Sequence, residues 1–227
     1  RIYATEIAMN KRIVLITAMV LSLGAGLYGI LGPSGNIAQS LFSVNTAAAD
    51  SCEAAFKRSK TLADKAVGDL AAFREIQAPL NVSDIAFVDA QGNPKTLADW
   101  RGKTVLFNLW ATWCPPCREE MPWLEELQVK RGGESFAVVP VSIDLGSPVK
   151  PKAFYEETGL KALPFLHDSS MESFQKLKRK AVALGMPTTL LIDENSCALG
   201  VLNGPAHWAS DDALKLIDAA LESSNSG

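Results

Sequence analysis

Residues 105–131 describe a buried strand that turns directly into a helix with two cysteines at the joint. Val105 to Trp110 read Val-Leu-Phe-Asn-Leu-Trp, apolar but for one amide, and Cys114, Pro115, Pro116 and Cys117 follow almost at once. An unbroken apolar run of this length suits a central strand covered on both faces. Proline is tolerated in the first turn of a helix, where its missing N–H would have had no intrahelical partner. The pattern therefore predicts a central strand, then a helix from near Pro116 towards Arg131 carrying the cysteine pair at its amino terminus.

Around this junction strands and helices alternate. Ser51 can cap a helix running towards Gln77, with Phe56, Ala63, Val67 and Leu70 at three- or four-residue steps. Ile85–Val88 and the turn signal Gln91, Gly92, Asn93, Pro94 predict a short hairpin. Beyond the cysteine helix, strands are expected at 136–143, 165–167, 188–193 and 198–202. Helices are expected at 151–158 and 171–184, with a last one capped by Ser210 and reaching Leu221. The order predicts an α/β domain, a mixed central sheet flanked by helices whose parallel strands are joined by right-handed crossovers.

A second constraint lies upstream. From Ile13 to Leu31 nineteen residues carry no charge, which as a helix is about 28 Å, nearly the thickness of a bilayer core. Lys11 and Arg12 precede this stretch and the next basic residue is Lys57, so the positive-inside rule keeps the amino end in the cytoplasm. We expect a cytoplasmic segment 1–12, a single membrane anchor 13–31 and a flexible tether 32–50. A helix packing on the domain follows at 51–79, then the domain itself at 80–222 and a tail at 223–227. Cleavage at Ala47, Ala48 and Ala49 is the alternative, although these lie far beyond the apolar stretch. Without residues 1–12, 19 basic residues face 24 acidic ones, and no basic stripe exists to suit nucleic acid.

At a helix amino terminus, orphan N–H groups and the positive end of the dipole favour a thiolate over a thiol. Cys114 then serves as a nucleophile towards a disulfide, and Cys117, one turn on, expels the product by closing an internal bridge. Two prolines withhold two N–H donors from the Cys114 sulfur, and a less stabilised thiolate makes the pair more reducing. Half a zinc site and a structural disulfide are the other readings of such a pair. Zinc would need two further ligands, and Cys52, Cys197, His167 and His207 stand singly. No metal site is expected, and no cofactor beyond the cysteine pair.

The stretch FNLWATWCPPCREEMP, residues 107–122, together with LADWRGK at 97–103 and GMPTTLLID at 185–193, resembles the thioredoxin superfamily. Within it the likeness is to the membrane-anchored branch that contains TlpA, ResA and CcmG, and it covers roughly residues 80–222. The resemblance implies a thioredoxin-like fold in which Pro187 is cis and faces the cysteines, with Met186 offering backbone groups to an extended substrate. It implies that Pro122 kinks the cysteine helix. Thioredoxin itself carries a buried aspartate where Asn108 stands, and an amide cannot take a proton from the inner cysteine. Glu120, on the same helix face as Cys117 and matching a glutamate of the ResA-like branch, is the candidate acceptor; otherwise it is a solvated carboxylate beside Glu119. Trp113, with Trp110, is expected to form an apolar collar at the sulfurs, the alternative being that both are simply core, and Trp113 and Pro115 to meet substrate.

In an oxidising compartment the leftover thiols of Cys52 and Cys197 are expected to pair, the alternatives being two free thiols or a second redox pair. Glu125, Glu126 and Glu134 read as solvated surface, and His167 and His207 as ordinary. The resemblance thus implies a thiol:disulfide reductase on the periplasmic side of a bacterial inner membrane. It would reduce a haem-attachment or copper-site protein in cytochrome maturation and be re-reduced by a membrane thiol carrier. A copper chaperone on the same fold and a disulfide-forming oxidase are the alternatives.

Overall fold

The computed structural model describes residues 52–224. The expected cytoplasmic segment, anchor and tether, the Ser51 cap and the last residues of the tail lie outside the described residues. Among the described residues no helix is long and apolar enough to cross a membrane.

The elements run α1 (Glu53–Lys65), β1 (Ala86–Asp89), β2 (Pro94–Thr96), β3 (Thr104–Trp110), α2 (Pro115–Arg131), β4 (Phe136–Ser142), α3 (Val149–Thr158), β5 (Leu166–His167), α4 (Glu172–Arg179), β6 (Thr188–Ile192), β7 (Ala198–Asn203) and α5 (Asp211–Ser224). The strands form one sheet in the order β2-β1-β5-β4-β3-β6-β7. β3 pairs parallel with β4 and antiparallel with β6, and every one of its residues is buried. That central position explains the continuous apolar run that announces it in the sequence. The predicted hairpin is β1–β2, and Asp89 closes its turn by accepting from the Gln91 and Asn93 N–H groups at 2.9 Å each.

The amino-terminal helix is shorter than expected. It ends at Lys65 rather than near residue 79, and Val67, predicted to face the core, is exposed. Ala66 and Val67 turn to extended backbone and end the helix, and Gly68 then sits at φ +54°, a conformation costly for residues with a Cβ. Leu70, Phe73 and Ile76 keep a helical spacing and are buried, but on an irregular segment that runs along the sheet edge. There Arg74 exchanges both backbone hydrogen bonds with Val201, and Ala198 donates to the Leu80 carbonyl, so the open edge of β7 is covered. Gly200 makes this close approach possible, since a Cβ there would collide with the Phe73 ring.

α1 packs on β7 and α5 and is fastened by a disulfide between Cys52 and Cys197, both without exposed surface. The helix expected at 171–184 also stops early, at Arg179, because Ala181 turns to φ +56°. The chain then enters the loop that delivers Pro187.

Candidate active site

Three loops meet at one end of the sheet. Trp110 closes β3 opposite Ser142, the last residue of β4, and Leu109 pairs with Thr188, the first residue of β6. The segments 111–114, 143–148 and 184–187 therefore leave the sheet side by side. Cys114 is the N-cap of α2, and its sulfur accepts the Cys117 N–H at 3.3 Å. Pro115 and Pro116 fill the first two helical positions, so this N–H is the first the helix can offer. The two cysteines are joined as a disulfide, with Cys114 4% and Cys117 0% exposed. An incoming sulfur meets Cys114 first.

Pro187 is buried, the Met186–Pro187 bond is cis, and Met186 is half-buried beside it. The loop is anchored by the Gly204 N–H, which donates to the Pro187 carbonyl at 2.8 Å, and by the Thr188 hydroxyl, which donates to the Gly185 carbonyl at 2.6 Å. Trp113 projects into solvent, 57% exposed. It lines a groove of about 520 Å³ with Asp144, Leu145, Val149, Lys150 and Met171. Trp110 belongs to the core rather than to a collar, packed on Phe154 and Tyr155 at ring distances of 5.2 and 5.9 Å. Pro122 lies inside α2, which continues through it to Arg131.

Glu120 is fully buried, which overturns its reading as a solvated carboxylate. Its Oε1 accepts from the Asn108 amide at 2.8 Å, and its Oε2 accepts from the Ala206 N–H and the Trp208 indole N–H, both at 3.2 Å. Burial pushes the carboxyl up to about 7, against the pull of these donors. A carboxyl that gains and loses a proton near neutrality, one helical turn beyond Cys117, suits proton exchange with that thiol. The raised value also predicts a pH signature. The folded state holds this proton more tightly than the unfolded chain, so the stability it contributes is complete below about pH 4.5 and lost as pH rises through about 7. Glu120→Gln is therefore expected to match the parent near pH 4 and to exceed it by about 3 kcal/mol at pH 8 in urea unfolding. Equal stabilities at both pH values would contradict the raised value.

The sequence missed part of this site. Trp208 and Ala206 reach Glu120 across more than eighty residues, and nothing local marks them. Thr189, which accepts from Asn108 at 2.9 Å, could have been found only through the β3–β6 register. Asp144, buried, accepts from the Thr112 N–H and hydroxyl and from the Ser142 hydroxyl, fixing the turn that presents Trp113 and Cys114. Glu125 is not merely solvated: its carboxylate receives the N–H groups of Lys161, Ala162 and Leu163 at 2.7–3.0 Å. His167 Nε2 lies 2.7 Å from the Asp144 carbonyl, and the His207 ring packs tilted against Trp123 at a centroid distance of 4.6 Å. Among the described residues no three His, Cys, Asp or Glu side chains converge as a metal site would require.

A cysteine pair at a helix start, beside a cis-proline loop on a mixed sheet, defines the thioredoxin-like class. Within that class the chain belongs to the Redoxin family, whose model matches residues 70–217. It is 36% identical over 126 residues to the thiol-disulfide oxidoreductase ResA of Geobacillus thermodenitrificans, a match covering 53% of this chain and 66% of that protein. It is 35% identical over 121 residues to the thioredoxin-like protein YneN of Bacillus subtilis, covering 52% and 67%. The chain thus spans just under two thirds of the length of its ResA relative. Among solved structures it is similar to a thiol:disulfide interchange protein of the thioredoxin family from Chlorobium tepidum, with a TM-score of 0.53 and 26% identity over 64% of this chain and 99% of that one.

Proposed function

We propose that this protein is a membrane-anchored, extracytoplasmic thiol:disulfide reductase. The observation that carries the reading is the placement of Cys114: its sulfur caps α2, receives a single backbone N–H past two prolines, and is the more exposed of the pair. In the reduced enzyme the Cys114 thiolate attacks one sulfur of a target disulfide, forming a mixed disulfide and releasing the other target sulfur as a thiolate, which takes a proton from water. Cys117 then gives its proton to the Glu120 carboxylate and attacks Cys114. The second target sulfur leaves and is protonated, and the enzyme keeps its internal bridge. Two electrons have passed to the target. Met186, Pro187, Trp113 and Pro115 form the rim against which an extended target segment lies.

The uncharged stretch 13–31 supplies the anchor, and the basic residues before it orient the domain away from the cytoplasm. Likeness to relatives named ResA supports a target in cytochrome maturation, whose haem-attachment or copper-site cysteines must be reduced before they can hold a cofactor. In an oxidising compartment the enzyme would recover its electrons from a membrane thiol carrier.

The test is the reduction potential measured against glutathione. A value below about −200 mV is expected, and one near −120 mV would place the protein among disulfide donors instead.

A further inference from the structure

The two oxygens of Glu120 are held differently. Oε2 receives only groups that can donate and never accept, the indole N–H of Trp208 and the backbone N–H of Ala206. Oε1 faces the amide of Asn108, which donates to it and to the Thr189 hydroxyl while its own Oδ1 is buried without a partner. An amide can exchange donor for acceptor by rotating, so Asn108 can serve both the carboxylate and, through Oδ1, a carboxyl proton carried on Oε1. Trp208 has no such freedom. Its bond, at 3.2 Å, favours the ionised form over the neutral one.

Trp208 is buried in the turn between β7 and α5, which ties the carboxyl-terminal part of the domain to the inner face of α2. The charged groups nearest in the chain face outward. Glu119 on α2, His207 in the same turn and Asp211 on α5 are exposed, and Lys130 on α2 is engaged with Glu126 at 2.7 Å and the Ala209 carbonyl at 3.4 Å. The facing strands β3 and β6 contribute neutral Asn108 and Thr189, and α2 contributes Cys117. Among the described residues, the donors that reach Glu120 are thus neutral, and none of them can follow the carboxyl's charge by titrating.

We infer that Trp208, through its indole N–H, is a positioning residue that holds down the proton affinity which burial raises in Glu120. The inference deepens the reading in which Glu120 takes the Cys117 proton, and it rests on that reading for its effect on turnover. The group that tunes the proton acceptor then lies outside the cysteine motif, on a segment joined to it only by the fold.

The test uses the full chain in detergent micelles, with the Glu120 carboxyl followed by carbon-13 NMR and assigned by its loss in Glu120→Gln. Trp208→Phe keeps an aromatic ring and removes the donor. Its Glu120 titration midpoint is expected to rise by about one pH unit, since a hydrogen bond to a charged group is worth roughly a tenfold change in equilibrium. Disulfide reduction relative to the parent should fall about tenfold at pH 6 and converge by about pH 9. An unchanged or lowered midpoint in a folded Trp208→Phe overturns the inference. A raised midpoint with unaltered reduction rates upholds the tuning by Trp208 and instead removes Glu120 from the proton path. If Trp208→Phe does not fold by circular dichroism, benzothienylalanine at position 208, which replaces only the N–H with sulfur, is held to the same midpoint shift.

Discussion

Cys114→Ser is expected to lower disulfide reduction by roughly a thousandfold or more, because a hydroxyl is a far poorer nucleophile than a thiolate and nothing else at the helix start replaces it. Cys117→Ser should behave differently. It keeps the exposed sulfur, so the first attack proceeds at close to its normal rate, but the fully buried partner that would expel the target is gone. The mixed disulfide then accumulates instead of turning over, and mass spectrometry of the trapped species identifies the target. The two variants together separate attack from resolution. If Cys114→Ser instead trapped the target through Cys117 while Cys117→Ser lost all reaction with it, the roles assigned to the two sulfurs would be reversed.

Replacing both Cys52 and Cys197 with alanine is expected to cost about 5 kcal/mol of stability. The bridge closes a loop with a sequence separation of 145, and the chain-entropy account gives that magnitude for a loop so long. For a domain of this size the loss corresponds to a fall in Tm of about 10–20 °C. The double replacement is the cleaner experiment, since a single one leaves an unpaired thiol free to exchange with other disulfides. Thermal unfolding under conditions that keep the active-site bridge closed provides the measurement. A shift of less than 2 °C would mean that α1 is held to β7 by packing alone.

The junction of β3 and α2 was legible because burial on both faces, proline at the helix start and a cysteine pair are all local signals. So was the mixed α/β order, which follows from successive strands and helices. The end of α1 was not, because Leu70, Phe73 and Ile76 keep a helical spacing after the helix has stopped, and only the backbone over Ala66–Gly68 separates the two outcomes. Glu120 could be placed on the right helix face from its spacing to Cys117. Its burial could not be read, since it depends on Asn108 and on a turn more than eighty residues away. Glu125 escaped for the same reason: its three partners come from the segment before β5. Residue spacing reveals what lies along one element, and the proton chemistry of this site is assembled between several.

The seclusion of Cys52 and Cys197 gives the molecule a form of self-discrimination. A reducing dithiol can in principle open any bridge it meets, including one in another copy of itself, yet exchange requires a sulfur to arrive in line with the bond it breaks. With both partners sealed beneath the sheet edge, that approach is closed unless the fold opens first. A reductant of the proposed kind would thereby leave its own fastening intact, sparing by access what thermodynamics alone would not protect.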